Sequence, residues 1–248
     1  MRTRQLSNSC SHRAVSVRCL RLKIMGNVME EAKRRLRYAQ ARLHEVSAAL
    51  ASAHGHGDWD QLKTAQENVL IAEREVAEAA GDEYAVEIAL GLVWDIGAPL
   101  PHLLANGRKT YVLFYLADPD PAWDGTWVTL VDPAAPQAVP LGVVEFHHVH
   151  SIKLGGPNDE ALDGHPLTGK GLRAYAAHTV VNSRWITAEE QINSVHPNHC
   201  GGRHDQLNHY VFCFHDETLE CLAEGITTER YVGSLHTVLS QLLGRLLR

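Results

Sequence analysis

The chain has 248 residues, 45% hydrophobic and 21% charged, with a formal net charge of -6 at neutral pH. These are globular values and exclude wholesale disorder. The acidic balance gives no general pull toward nucleic acid or anionic lipid, and no run of about 18 apolar residues is present to span a bilayer, so neither a nucleic-acid partner nor a membrane span is expected.

Residues 1–24 carry Arg2, Arg4, Arg13, Arg18, Arg21 and Lys23 and no acid. Arginine keeps interrupting the apolar core that a secretory signal needs, so the segment reads as disordered or as a mis-annotated extension ahead of the true start. From Met29 the pattern becomes regular. Met29, Ala32, Leu36, Ala39, Leu43, Val46, Leu50 and Ala53 recur in steps of three and four, and Leu62, Ala65, Val69, Ala72, Val76 and Ala79 repeat the rhythm. This is a heptad seam on each of two helices. The glycines of HGHGDWD can end the first helix and Asp58 can cap the second, with His54 and His56 as solvated turn residues. So short a connection predicts an antiparallel two-helix coiled-coil arm over residues 25–81, a means of self-association or of meeting a protein partner.

The remainder, 82–248, reads as an α+β domain, a predominantly antiparallel sheet with flanking helices. EYAVEIALGLVW begins as a helix or a buried strand, and GAPLPHLLANG as irregular connection. KTYVLFYLA, TWVTLVD, LGVVEFHHVHSIKLG (one long, bent strand) and YAAHTVVNS are expected strands, rich in β-branched and aromatic residues. WITAEEQINSVH reads as a short helix, and HYVFCFHDETLECLAEG as a hairpin. The end places Leu235, Val238, Leu239, Leu242, Leu243 and Leu246 on one face of an amphipathic helix, suited to docking on its own sheet.

Side chains able to do chemistry are concentrated in one stretch. Ten of the sixteen histidines lie between His147 and His215, and Cys200, Cys213 and Cys221 fall in or just beyond it. If Asp216 and Glu217 form the turn of the last hairpin, Phe214 faces Leu219 and one sheet face carries His209, Val211, Cys213, His215, Thr218 and Glu220. His215 and Glu220 then sit diagonally, an acid–base pair or a salt link. On a strand, His148 and His150 share a face and could begin a site for a divalent metal such as zinc. His196, His199, Cys200 and His204 offer further ligand types without two close pairs. The loop GGPNDEALDGHPLTGKG combines glycines with Lys170 but departs from a P-loop at Gly171, where serine or threonine is required. Of the thiols, Cys213 is the better nucleophile candidate and Cys221 faces the core. An odd number of cysteines without CxxC spacing fits reduced thiols and a cytoplasmic setting.

The segments GGPNDEALDGHPL, NSRWI and HYVFCFHDETLEC together resemble an uncharacterised bacterial family in which a strand leads to a PNDE–GHPL loop and an FHD hairpin follows. The resemblance covers about Gly142 to Gly225 and brings no activity with it. It implies that Asn158, Asp159, Glu160, His165, Asn182, Trp185, His215, Asp216 and Glu220 form one constellation, without telling catalysis from folding. By residue type His215, Glu220, His165 and Asp159 are the catalytic candidates, and Asn158, Glu160, Asn182, Trp185 and Asp216 the ligand contacts. Two functions fit these residues. The first is a binding or protein-interaction module; the second is a hydrolase, metal-dependent or not, working through a His/Glu pair. An enzyme requires the PNDE–GHPL loop and the FHD hairpin to converge. An interaction module requires the histidines to diverge and the arm to expose an apolar surface.

Overall fold

A computed structural model describes residues 10–52, 58–118, 132–200, 202 and 204–248. The chain is α+β and divides into two compact units, Met1–Asp82 and Glu83–Arg248. Among the described residues no helix is long and apolar enough to cross a membrane.

The first unit is a pair of packed helices, α1 (Cys10–Ser52) and α2 (Trp59–Ala80). α1 therefore takes in part of the stretch expected to be disordered or mis-annotated. The heptads place the contact: Ala32, Ala39 and Val46 of α1 and Ala65 and Ala72 of α2 are buried. Met25 lies beside Ala79, and Tyr38 beside Ile71, so the helices run antiparallel. Asp58 caps α2 by accepting from the Gln61 N–H at 3.1 Å, a contact worth about 1 kcal/mol. Gly81 closes its other end in the left-handed conformation (φ 67°), donating to Ala77 and Glu78. His54 and His56 lie outside the described residues.

The second unit stacks two antiparallel sheets. Strands β1 (Tyr84–Glu87), β2 (His102–Ala105), β3 (Thr110–Tyr115), β4 (Val139–His147) and β5 (Ser151–Gly155) are followed by β6 (Ala177–Val181) and helix α3 (Arg184–Asn193). Then come β7 (Asn208–Cys213), β8 (Thr218–Ala223), β9 (Gly225–Gly233) and α4 (Leu235–Leu246). One sheet has the order β2-β3-β4-β9, the other β1-β6-β7-β8-β5. Most of the expected strand TWVTLVD lies outside the described residues.

Two-residue alternation builds the core between the sheets. Val112, Phe114, Val144 and Phe146 meet Tyr210, Phe212, Phe214, Leu219 and Cys221. Burying each large side chain stabilises the fold by about 1.5–3 kcal/mol. Gly142 lies across from Phe114, where a Cβ would stand 2.9 Å from the Phe114 ring and 2.8 Å from Leu116, so only glycine admits that ring. The other face of β3 and β4 is covered by α4, whose Leu235, Val238 and Leu242 bury Tyr111, Leu113, Leu141 and Val143. Covering on both faces explains why every residue of β3 is buried and why its sequence is a continuous apolar run.

Three expectations change. LGVVEFHHVHSIKLG is not one bent strand: it breaks at His148–His150, with β4 in one sheet and β5 in the other. His148 takes a positive φ of 51° there, a conformation that ends pairing. The connection GAPLPHLLANG contains β2, and GITTERYVG forms β9. Neither has a buried residue, so neither carries a strong apolar pattern. The outer face of the five-stranded sheet is covered by the loop after β5. Leu162 and Leu167, with Leu172 and Ala174, pack on Ala85, Val180, Val211 and Cys213. This roof positions the chemistry.

Candidate functional site

The FHD hairpin sets the arrangement. Cys213 pairs with Thr218 and Phe212 with Leu219, so the loop has four residues, Phe214–Glu217, closed by the Phe214 N–H donating to the Glu217 carbonyl at 2.9 Å. A two-residue Asp-Glu turn, unfavourable in such hairpins, gives way to a longer one. The register moves by two residues, an even step, so each side chain keeps its expected face while its partners change. The His215–Glu220 diagonal is lost, and each residue finds another carboxylate or imidazole.

His215, now in the loop, meets the PNDE–GHPL segment. Asn158 caps a 3₁₀ turn, Asp159–Gly164, by accepting from the Ala161 N–H. The Asp159 N–H donates to the His215 carbonyl at 2.9 Å, and the Thr218 hydroxyl donates to the Pro157 carbonyl at 2.8 Å. Loop and hairpin thus converge. Asp159 Oδ2 lies 3.1 Å from His215 Nδ1 and also accepts from the Tyr175 hydroxyl, whose ring stacks on the imidazole at 6.3 Å. Tyr175 has a positive φ of 57°, unusual for a bulky side chain and costing about 1–2 kcal/mol. The Tyr175 hydrogen bond, then the His215 charge, hold the Asp159 carboxyl below its usual range, and the same bond to Asp159 pushes the Tyr175 hydroxyl up to about 12. The tautomer that satisfies these contacts has its proton on Nδ1 and a lone pair on Nε2. Nε2 stands 4.0 Å from the exposed Asp216 carboxylate, beyond hydrogen-bond reach, and the side chain is 37% exposed. Glu160, also exposed, stands at the rim.

A second group lies under the roof. Glu220 Oε2 accepts from His209 Nε2 at 3.0 Å, and Glu220 Oε1 is 4.0 Å from His165 Nε2 and 3.8 Å from Lys153 Nζ. His209 Nδ1 accepts from the Ser183 hydroxyl at 2.9 Å, and Ser183, the N-cap of α3, accepts in turn from the Ile186 N–H. His165 Nδ1 accepts from the Leu167 N–H. Trp185 packs edge-on against His209, carries Lys153 over its ring at 3.6 Å and donates to Glu189. Burial raises the Glu220 pKa, but the His209 hydrogen bond and the Lys153 charge outweigh it, so the carboxyl is held below its usual range. Burial lowers the His165 pKa, against the pull of Glu220.

The nine residues implied to be one constellation therefore fall into two groups. Asp159 and Asp216 stand beside the exposed His215 imidazole, and Asn158 and Glu160 belong to the loop that carries Asp159. His165, Trp185 and Glu220 belong to the buried network, and exposed Asn182 adjoins its Ser183. Tyr175, Ser183, His209 and Lys153 complete the groups. Of these only His209 and Ser183 left a signal, as a polar-face residue of β7 and as the serine before a helical run.

His148 and His150 do not share a face. His148 Nδ1 lies 2.8 Å from Glu224, while His150 Nε2 lies 3.2 Å from Glu189. His150 and His199 each place a ring against the buried His204. Among the described residues no three or more His, Cys, Asp or Glu side chains are arranged to hold a metal ion. Cys213 faces outward as expected but is buried beneath the roof, and burial pushes both its thiol and that of Cys221 up to about 12. Neither is a nucleophile at neutral pH. No family model, curated protein or solved structure matches this chain.

Proposed function

We propose that the Glu83–Arg248 unit binds a small polar ligand over the β7–β8 loop and that His215 moves protons on it as general acid and base, in a hydrolytic reaction. The observation that carries this reading is the use of the two imidazole nitrogens. Asp159 holds Nδ1, fixing the tautomer and ring plane, while Nε2 keeps a lone pair at an exposed edge. Asp159 is the orienting group and Tyr175 holds Asp159 in place. The exposed carboxylate of Asp216, 4.0 Å from Nε2, lies close enough to meet a donor group of a ligand. With the Cys213 and Cys221 thiols buried and protonated, a water activated by His215 is the nucleophile this arrangement favours. The free thiols of Cys213 and Cys221 support a reducing, cytoplasmic setting.

The test is hydrolysis of a panel of chromogenic esters and phosphodiesters, paired with long-range proton–nitrogen NMR of the histidine rings. His215→Ala should abolish turnover while remaining folded, and Asp159→Asn should lower it by about 10²–10⁴-fold. The NMR spectrum should show His215 protonated at Nδ1 in the wild type. Turnover that survives His215→Ala, or a ring protonated at Nε2, would defeat the reading.

A further inference from the structure

The helical arm carries an asymmetry that the seam pattern alone does not show. With Met29 taken as heptad position a, the a positions of both helices are large, such as Leu36 and Leu43 on α1 and Val69 and Val76 on α2. The d positions from Ala32 to Ala39 and from Ala65 to Ala79 are all alanine (Ala32, Ala39, Ala65, Ala72 and Ala79), with Val46 the larger residue beyond them. In an antiparallel pair the d positions of both helices lean toward the same side. That side is left as a continuous groove with an alanine floor, running from Met25 and Ala79 at one end to Arg42 and Ala65 at the other. Large apolar side chains stand along it unburied: Tyr38 is 76% exposed, Met25 61%, Val28 53% and Ile71 44%.

The two walls of the groove differ in charge. The α1 wall has Arg34, Arg35 and Arg42 against Glu31, whereas the α2 wall has Glu75 and Glu78 and no cation. Arg35 bridges the walls to Glu75 at 3.1 Å within one hairpin. A surface basic along one edge and acidic along the other is complementary to itself when turned over. We propose that a second copy of this chain occupies the groove, the two hairpins packing face to face about a two-fold axis parallel to the helices. That axis lays α1 of each copy antiparallel on α2 of the other, so basic wall meets acidic wall. It also keeps residues at their height along the arm. Tyr38 and Ile71 stand at the same height, beside Ala39 and Ala72, so each projects onto the partner's alanine floor as a knob meets a hole. The other two-fold choice, α1 on α1, sets arginine against arginine and is disfavoured.

Sedimentation velocity of the full-length chain tests the proposal. A dimer is expected at micromolar concentration, weakening as salt screens the walls. Ile71→Glu, a surface change followed by circular dichroism to confirm folding, should raise the dissociation constant by about 30-fold or more. Mixing Tyr38→Cys with Ile71→Cys chains, with Cys10, Cys19 and Cys200 replaced by serine, should yield a disulfide between unlike chains. A wild type that stays monomeric to about 100 µM, or a dimer indifferent to Ile71→Glu, overturns it. A Tyr38→Cys chain that cross-links only to itself overturns the arrangement.

Discussion

One histidine–carboxylate pair stands on the outer face of the five-stranded sheet and another at the loop that ends its β7–β8 hairpin, and they differ in what they leave unused. His209 spends both nitrogens, one on Ser183 and one on Glu220, and its side chain is 4% exposed. His215 spends one, on Asp159, and presents the other at a side chain 37% exposed. Both have the residue types and distances of an acid–base dyad. The difference teaches that pairing alone does not make a reactive site: an imidazole with both nitrogens satisfied is a structural bracket, and one with a spare lone pair can exchange protons with a ligand.

The comparison is broken most readily at the bracket. His209→Ala removes the hydrogen-bonded imidazole from the half-buried, ionised Glu220 and frees the hydroxyl that caps α3. The loss is expected at about 3 kcal/mol, from deleting a buried side chain and leaving the carboxylate with only Lys153 at 3.8 Å and His165 at 4.0 Å. For a unit of this size that lowers the melting temperature by about 6–12 °C. His215→Ala should shift stability by no more than about 0.5 kcal/mol, as an exposed loop substitution does. Thermal denaturation of the two variants side by side decides the matter. Equal losses would make His215 a structural residue too, and the proposed division would fail.

Acid should also find the bracket first. His165 has a folded pKa below its ordinary value because of burial, so between pH 6.5 and that lower value the unfolded chain binds a proton the folded chain does not. Stability therefore falls as pH drops below about 6.5. Glu220, also held low, adds a second loss below its ordinary value near 4.5, as its charge, and with it the hold on the His209 imidazole, is protonated away. His165→Asn retains an acceptor for the Leu167 N–H but cannot titrate. Denaturant midpoints measured from pH 7.5 to 5 should slope downward in the wild type and less steeply in this variant. A variant with the wild-type slope would assign the acid sensitivity elsewhere.

Much of this was legible in the chain, for physical reasons that also mark where legibility ends. Heptad and two-residue periodicities report which face of an element is buried, so the arm, β3, β6, α3 and α4 could be read directly. In the last hairpin the same rule gave the faces of Tyr210, Phe212 and Cys221 although the turn was misplaced, because a two-residue slip preserves parity. Parity says nothing about who sits opposite whom, and that is why His215 was matched to Glu220. The true partners are 56 residues away for His215 and 11 for His209. Periodicity also continues through a backbone break. FHHVH keeps the alternation of a strand, but His148 turns the chain from one sheet to the other and sends the two histidines to different carboxylates. Tyr175 opened the expected strand YAAHTVVNS, but pairing starts only at Ala177, and the positive φ that turns Tyr175 toward Asp159 leaves no mark in an alternation pattern.

The Tyr175 hydroxyl offers the finest test of the exposed pair. Tyr175→Phe keeps the stacked ring and leaves Asp159 on His215 Nδ1, so turnover should fall by about ten-fold, the low end of what a hydrogen bond to a charged group contributes. The more telling change is in the carboxyl itself. Asp159 must be ionised to orient the imidazole, and the Tyr175 hydroxyl is the largest influence holding its carboxyl low. Without it the Asp159 pKa rises, which an NMR titration of the Asp159 side-chain carbon reads directly. Asp159→Asn, which has no carboxylate to titrate, should lose that signal together with most of the rate. If Tyr175→Phe instead cost as much as Asp159→Asn with the Asp159 titration unmoved, Tyr175 would be touching the ligand itself, and the order of roles from Tyr175 through Asp159 to His215 would have to be rewritten.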